Sequence, residues 1–283
     1  MKRSITLLLT VLLFSCSYAQ QPLQVMSFNI RMNTSSDSLN AWPYRKDKAA
    51  SQILFHDAHI VGVQEALHDQ MVDLKERLAA YKYVGVGRDD GKEKGEYSAI
   101  FYDTTRLQVL QSQTFWLSET PTVPGSKSWD AAITRVVTWA RFKDRKTGKT
   151  FFAFNTHFDH RGQEARRQSA HLLLQKIKEI AGRSPVIVTG DFNATPTDEP
   201  IQVLVSAAGG NDKLIDGKAV SQQPHYGPTG TFNGFRSRET GNDPIDYIFI
   251  KNGVKVLKHA SLSQTWEGRF SSDHFPVLAM VVI

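Results

Sequence analysis

The sequence predicts an α/β protein in which two packed β-sheets carry helices on their outer faces. Strand-like runs outnumber helical ones and mix strict alternation with solid apolar stretches. The few helical segments are amphipathic. No internal repeat, low-complexity tract or Pro/Gly/Ser linker divides the 283 residues. A sheet apolar on one face must bury it against a second layer, and many strands with few helices favour sheet on sheet.

The elements follow in order. Residues 23–30 read as a strand. Residues 45–55 have helical spacing, with Ala49 and Ile53 on one side, and 58–63 form a short buried strand. Residues 69–79 are helical, Met71, Leu74 and Leu78 sharing a face. Strand-like runs follow at 81–86, 97–102, 107–117, 133–142 and 150–157, the last two joined through Thr147-Gly148, a hairpin signal. The helix at 162–181 is the clearest, with Ala165, Ser169, Leu172, Leu173, Ile177 and Ile180 as its apolar stripe. A buried strand at 186–189 and a short helix at 198–206, capped by Thr197 or Asp198, come next. Strands at 245–250, 254–262 and 276–282 finish the chain. One domain over 22–283 accounts for all of them.

The N-terminus reads differently. Lys2 and Arg3 precede an apolar run at 5–14 and small residues at 15–19. This is a secretory signal pattern over residues 1–19, too short to span a bilayer, and it is preferred to a buried first element. It predicts export to the periplasm or the extracellular space. Ala19 suits cleavage before Gln20; Leu13-Phe14-Ser15-Cys16 also resembles a lipoprotein box, which would leave Cys16 lipid-anchored. Cys16 is the only cysteine, so a chain cleaved before Gln20 has neither disulfide nor thiol chemistry. No later apolar run is long enough to cross a membrane. The net charge of +6 falls to roughly +4 without Lys2 and Arg3. That balance admits a phosphate-bearing substrate but does not establish nucleic-acid binding. Oligomeric state has no signature here.

The chemistry gathers at strand ends. Met26-Ser27-Phe28 ends in Asn29, 60–63 in Gln64-Glu65, 151–154 in Asn155-Thr156-His157, and 186–188 in Thr189-Gly190-Asp191-Phe192-Asn193; Asp246 opens one strand and Ser272-Asp273-His274 the last. Each residue alone has an ordinary reading as a turn former or a solvated strand end. Together, carboxylates, amides and two histidines at the rims of buried strands are costly unless they meet a charged ligand.

These strings, in this order, resemble the endonuclease/exonuclease/phosphatase, or DNase I-like, superfamily, which includes abasic-site endonucleases, sphingomyelinases, inositol phosphatases and deadenylases. The strings that carry the resemblance are Phe28-Asn29-Ile30, Gln64-Glu65, Asn155-Thr156-His157-Phe158, Gly190-Asp191-Phe192-Asn193-Ala194, Ile245-Asp246-Tyr247-Ile248 and Ser272-Asp273-His274-Phe275-Pro276. The resemblance implies a four-layer αββα sandwich of two mixed sheets with the site at one sheet edge. It implies a Mg²⁺-dependent hydrolase, with Mn²⁺ as the alternative ion, that cleaves a P–O bond by metal-assisted in-line attack of water. It also implies roles: Glu65 as principal metal ligand with Asn29 and Asp273 beside it, His274 on the scissile phosphate, Asp246 orienting His274, Asp191 deprotonating the water, and Asn193 and His157 donating to phosphoryl oxygens. Mg²⁺ needs few protein oxygens, and phosphoryl transfer asks mainly for positioning and charge stabilisation.

Departures narrow the substrate. Some members carry an acid where Arg31 stands, so Arg31 is either a phosphate contact or a solvated arginine. Tyr247 follows Asp246 where inositol polyphosphate 5-phosphatases place arginine, and the 190–196 stretch looks closer to deadenylase-like and sphingomyelinase-like members. A phosphodiesterase, nuclease-like, acting on nucleic acid or phospholipid is the preferred reading; a phosphatase of small phosphorylated metabolites and a non-catalytic binding module are the alternatives. Arg161 is expected at the substrate, His160 stays open, the Gly87–Gly91 loop with Lys92 and Lys94 is a further candidate, and Trp116, Trp129 and Trp266 are expected to pack rather than to form a rim.

Overall fold

The computed structural model describes residues 21–206, 212–236 and 243–283. The expected signal segment, Cys16 included, lies outside the described residues. Strand β1 (Leu23–Asn29) leads through two short 3₁₀ turns to helix α1 (Lys46–Phe55), then β2 (Ile60–Gln64), α2 (His68–Arg77), β3 (Tyr81–Val84) and β4 (Ile100–Asp103). Strands β5 (Leu107–Trp116), β6 (Val136–Asp144) and β7 (Thr150–His157) form a meander, followed by α3 (Gln163–Ala181), β8 (Val186–Asp191), α4 (Glu199–Val205) and β9 (Ile215–Asp216). The chain ends with β10 (Asp246–Lys251), β11 (Lys255–Ser261), the small β12 (Thr265–Trp266) and β13 (Arg269–Phe270), and β14 (Val277–Val282).

Two six-stranded mixed sheets result, ordered β11-β14-β1-β2-β4-β3 and β5-β6-β7-β8-β10-β9. Three apolar layers show how they stack. Val25, Ile60, Phe142, Phe151, Ile187 and Ile248 fill the space between the sheets. Met26, Phe28, Val61 and Val63 face outward onto α1 and α2, and Phe152, Phe154, Val186 and Val188 face outward onto α3 and α4. Alternating side chains on each strand thus serve two cores, which is why the strands read as nearly solid apolar runs. The architecture is a four-layer αββα sandwich. Among the described residues no helix is long and apolar enough to cross a membrane.

Near the site the sheets approach closely at Gly62. A Cβ there would lie 2.1 Å from Thr189 Oγ1 and 2.5 Å from Asn155 Oδ1. Asn155 uses the closeness: its amide donates to Val63 O (2.8 Å) and Ala99 O (2.9 Å), and its Oδ1 accepts from Gln64 Nε2 (2.7 Å) and Thr189 Oγ1 (3.0 Å). This buried network ties the sheets together just beneath the strand ends, with most members satisfied.

Some element bounds differ from the sequence reading. Strand β8 runs on to Asp191, because backbone pairing with both neighbours continues to that residue. Strand β6 starts at Val136, not 133; the N–H groups of Ala132 and Ile133 donate to Asp159 Oδ2 (3.0 and 3.2 Å) and curl the chain there. Strand β4 starts at Ile100, Tyr97 making only isolated bridges to Ala66 and Gly87. On α3 the buried face runs through Ala170, Leu174 and Ala181, with Leu172 and Ile180 at its half-buried edges. Trp116 is buried, its indole N–H donating to Arg88 O (2.7 Å); Trp129 and Trp266 are half-buried.

Candidate active site

Register places the acids. Parallel pairing of β7 with β8 puts His157 beside Asp191, and antiparallel pairing of β8 with β10 puts Asp191 opposite Asp246. In the other sheet, parallel β1 and β2 set Asn29 beside Gln64, so Glu65 follows at the strand end. The chain leaves these ends sharply. Arg31, Glu65 and Asn193 have φ of 57°, 62° and 47°, a left-handed conformation that costs L-residues free energy and recurs at functional sites.

The strand ends surround a cleft of about 570 Å³. Arg31, Glu65, His157, Asp191, Asn193, Asp273 and His274 line it, with Glu96, Arg135, His160 and Phe232. Asn29 lies beneath, its Nδ2 donating to Glu65 Oε1 (3.1 Å) and Asp191 Oδ2 (2.9 Å) and lying 3.4 Å from His274 Nε2. His274 Nδ1 is 2.8 Å from Asp246 Oδ2, which also accepts from Thr231 Oγ1 at 2.6 Å. His274 Nε2 and His157 Nε2 approach Asp191 Oδ2 at 3.8 and 3.4 Å.

Titration differs sharply among these neighbours. Burial, reinforced by the Asp246 charge, pushes the Asp191 carboxyl up to about 7. Burial opposes the imidazolium of His274, but the hydrogen bond and charge of Asp246 and the charge of Asp191 hold it well above the ordinary histidine range. Burial, with Arg135 and Arg88, holds His157 well below that range. Burial works against the Glu65 carboxylate, yet His274, Asn29 and the Met32 N–H keep it low. A carboxyl pushed toward neutrality beside a charged imidazole is the pattern of acid–base pairs at hydrolytic sites.

The structure brings together all but one of the residues singled out as site residues. Arg161 is exposed outside the cleft lining, its backbone N–H donating to Asp159 Oδ1 (2.9 Å). Asp159 takes that bond because it caps the turn into α3, also accepting from the Gly162 N–H (2.8 Å). Arg31 is not a solvated arginine: it makes a two-pronged bond to Asp37 (3.0 and 3.1 Å) and lies 3.7 Å from Glu65 and 3.8 Å from Asp273. Asn193 Nδ2 contacts His157 Nε2 and Phe158 O, both at 3.0 Å, which engages both its hydrogens. The Gly87–Gly91 loop lies outside the cleft, but Arg88 anchors Glu96 at 2.6 Å.

Sequence reading missed Glu96, Arg135 and Phe232. Arg135 is 5% exposed, and its Nε and Nη1 have no hydrogen-bond partner among the described residues. Its Nη2 lies 3.3 Å from His160 Nδ1. A cation just before the apolar run Val136-Val137 is the same strand-end signal that marked the acids. Nothing local marks Phe232.

Glu65, His157 and Asp191 each offer a ligand atom within 4.8 Å of the others, as do Asp191, Asp246 and His274. The donors are mostly hard oxygens, which suit Mg²⁺ or Mn²⁺.

The model of the Endonuclease/Exonuclease/phosphatase family matches residues 26–274. The chain belongs to that family. The endonuclease/exonuclease/phosphatase from Bacteroides vulgatus is 43% identical, with a TM-score of 0.88 over 93% of this chain and 99% of that one. The mannosyl-6-phosphatase of Bacteroides thetaiotaomicron is 40% identical, with a TM-score of 0.87 over 92% of this chain and 100% of that one. Protein angel of Drosophila melanogaster is 25% identical over 205 residues, 66% of this chain; the match spans about half (52%) of that protein's length. Hydrolases of this endonuclease/exonuclease/phosphatase family act on phosphoester bonds, and carboxylates, imidazoles and guanidinium groups line the cleft.

Proposed function

We propose that the protein is an exported, divalent-metal-dependent phosphatase that removes the phosphate from a small phosphorylated metabolite. The observation that carries this reading is the cleft itself. About 570 Å³ falls within the size range of small-molecule sites, and the buried Arg135 and the imidazolium of His274 at its wall suit a phosphate monoester. The full-length likeness to a mannosyl-6-phosphatase supports the same choice. The diesterase preferred from sequence therefore becomes the second reading.

The residues divide the work. Asp191 Oδ2, lifted toward neutral pH, takes the proton of the attacking water as the new P–O bond forms in line. The ester P–O bond breaks with its electron pair on the ester oxygen, which takes a proton from solvent to leave as the alcohol. His274, held charged by Asp246, and Arg135, whose Nε and Nη1 have no hydrogen-bond partner among the described residues, bind the phosphoryl oxygens. Asn193 holds His157. Glu65, with Asn29 and Asp273 alongside, would hold the metal ion, which when bound offsets negative charge on the phosphate.

The test is hydrolysis of mannose 6-phosphate, p-nitrophenyl phosphate and bis(p-nitrophenyl) phosphate with Mg²⁺, Mn²⁺ or EDTA. Metal-dependent release of phosphate from the monoesters is expected. Cleavage of the diester alone would return the reading to a phosphodiesterase, and full activity in EDTA would remove the metal. Export is tested by fractionation and by mass spectrometry of the N-terminus: Gln20 at the end, or a lipid on Cys16, supports it, and an intact Met1 in the cytoplasm overturns it.

A further inference from the structure

Arg45 is fully buried beneath the cleft, and every hydrogen-bond partner of its guanidinium among the described residues is a main-chain carbonyl. We propose that Arg45 is the positioning residue of the metal-binding end of the cleft, fixing the two turns that present Asn29, Glu65 and Asp273. The proposal rests on the reading that these three residues hold the metal ion.

The bonds reach both sides of the site. Arg45 Nη1 donates to Ile30 O (2.7 Å) and Ser271 O (2.8 Å), Nη2 to Arg31 O (3.2 Å), and Nε to Asn40 O. Ile30 and Arg31 follow Asn29 at the end of β1, and Ser271 lies two residues before Asp273. The same guanidinium lies over the Trp42 and Phe235 rings, 5.4 and 5.2 Å from their centres. Asn233, two residues before Phe235, donates from its backbone N–H to Asp273 O at 2.7 Å.

The first turn serves Glu65. Arg31 takes a left-handed backbone, φ 57°, which needs support from its surroundings. Held by Arg45 and by Gln70 Nε2 (2.9 Å to Arg31 O), the turn points the Met32 N–H at Glu65 Oε2 (3.1 Å). Asn29 Nδ2 donates to Glu65 Oε1 (3.1 Å), and Asn29 Oδ1 accepts from the Arg31 N–H (3.0 Å). Each Glu65 oxygen keeps a lone pair for a cation.

The second turn serves Asp273 and meets the first. Ser272 Oγ donates to Asn29 O (2.6 Å) and lies 3.3 Å from Asp273 Oδ1. Gln52, on the helix that starts beside Arg45, accepts from Ser271 Oγ (2.6 Å). Only a guanidinium spans the two turns in this way. Its planar fork carries five N–H donors pointing apart, whereas lysine offers three from a single atom. Burial works against its charge, which the carboxylates of Asp273 and Asp37 favour from further off.

The experiment uses the full chain and measures Mg²⁺ and Mn²⁺ binding by titration calorimetry and turnover of p-nitrophenyl phosphate. It compares the native protein with Arg45→Lys and Phe235→Leu, with urea unfolding as the check on folding. Folded Arg45→Lys should bind both ions about 10- to 100-fold more weakly, the scale seen when a partner of a metal ligand is lost. Its kcat should fall at limiting metal and partly recover as metal is raised. KM for the ester should stay near native, because Arg135 and His157 belong to the other sheet. Phe235→Leu keeps every donor and removes one ring, and should weaken ion binding by about two- to fivefold. Native ion affinity in folded Arg45→Lys, even with lowered stability, overturns the positioning role and leaves the metal reading standing. Should Arg45→Lys fail to fold, Phe235→Leu decides: weaker ion binding supports the role and native affinity overturns it. No ion binding by the native protein overturns the metal reading itself, and the role of Arg45 with it.

Discussion

His274 Nδ1 lies 2.8 Å from Asp246 Oδ2, and Asp246 in turn faces Asp191 across paired strands β8 and β10. One imidazole therefore sits between two carboxylates whose positions are set by strand register. Asp246→Asn keeps the shape and removes the charge that favours the imidazolium. Turnover should fall by about a hundredfold or more, with circular dichroism unchanged. Near-native turnover would remove Asp246 from the mechanism.

Arg135 is buried at the cleft, its Nε and Nη1 without a hydrogen-bond partner among the described residues but 4.0 Å from Asp159 Oδ2 and 3.9 Å from Glu96 Oε2. Arg135→Gln should raise KM for phosphate esters and weaken inhibition by inorganic phosphate by about tenfold or more, as expected for loss of a charge-assisted hydrogen bond worth about 1.5–3 kcal/mol. An unchanged inhibition constant would make Arg135 a structural partner of Glu96.

Gly62 has no room for a Cβ beside Thr189 and Asn155. Gly62→Ala should destabilise the fold by about 1–3 kcal/mol, because the clash falls in a close-packed space between sheets. Urea unfolding measures this. No loss would mean that the sheets can separate there without cost.

A histidine pair lies away from the cleft. His259 Nδ1 meets His225 Nδ1 at 3.0 Å, and His225 Nε2 lies 2.9 Å from Pro228 O. Burial, with His225 and Lys218, lowers His259 from 6.5 to about 3. Because the folded value lies below the unfolded one, the unfolded chain binds more protons between them. Stability from this group is present above pH 6.5 and is lost progressively as pH falls toward about 3. Denaturation at pH 7, 5.5 and 4 should show a steeper acid loss in the native protein than in His259→Gln; parallel losses would exclude the pair as the source.

Much of the site was legible because strand ends concentrate chemistry. Asn29, Glu65, His157, Asp191 and His274 each terminate or open an apolar run, and that contrast is local in sequence. Arg161 misled for a local reason as well: following the His157 strand at the start of a helix suggests a ligand contact, but Asp159 takes the turn for capping and Arg161 stays outside. Phe232 was invisible, because its place at the cleft comes from a bridge to His274, 42 residues on.

Sequence alone determined the fold class, nearly every element, and the identity of the acids, amides and imidazoles that meet at the cleft, since periodicity and strand-end polarity are written within a few residues. Only the tertiary structure decided that Asp191 faces Asp246, that Arg31 pairs with Asp37, that Arg135 and Glu96 enter the cleft, and that Phe232 borders it beside His274. These depend on register and on contacts between residues far apart in the chain, and no local pattern encodes them.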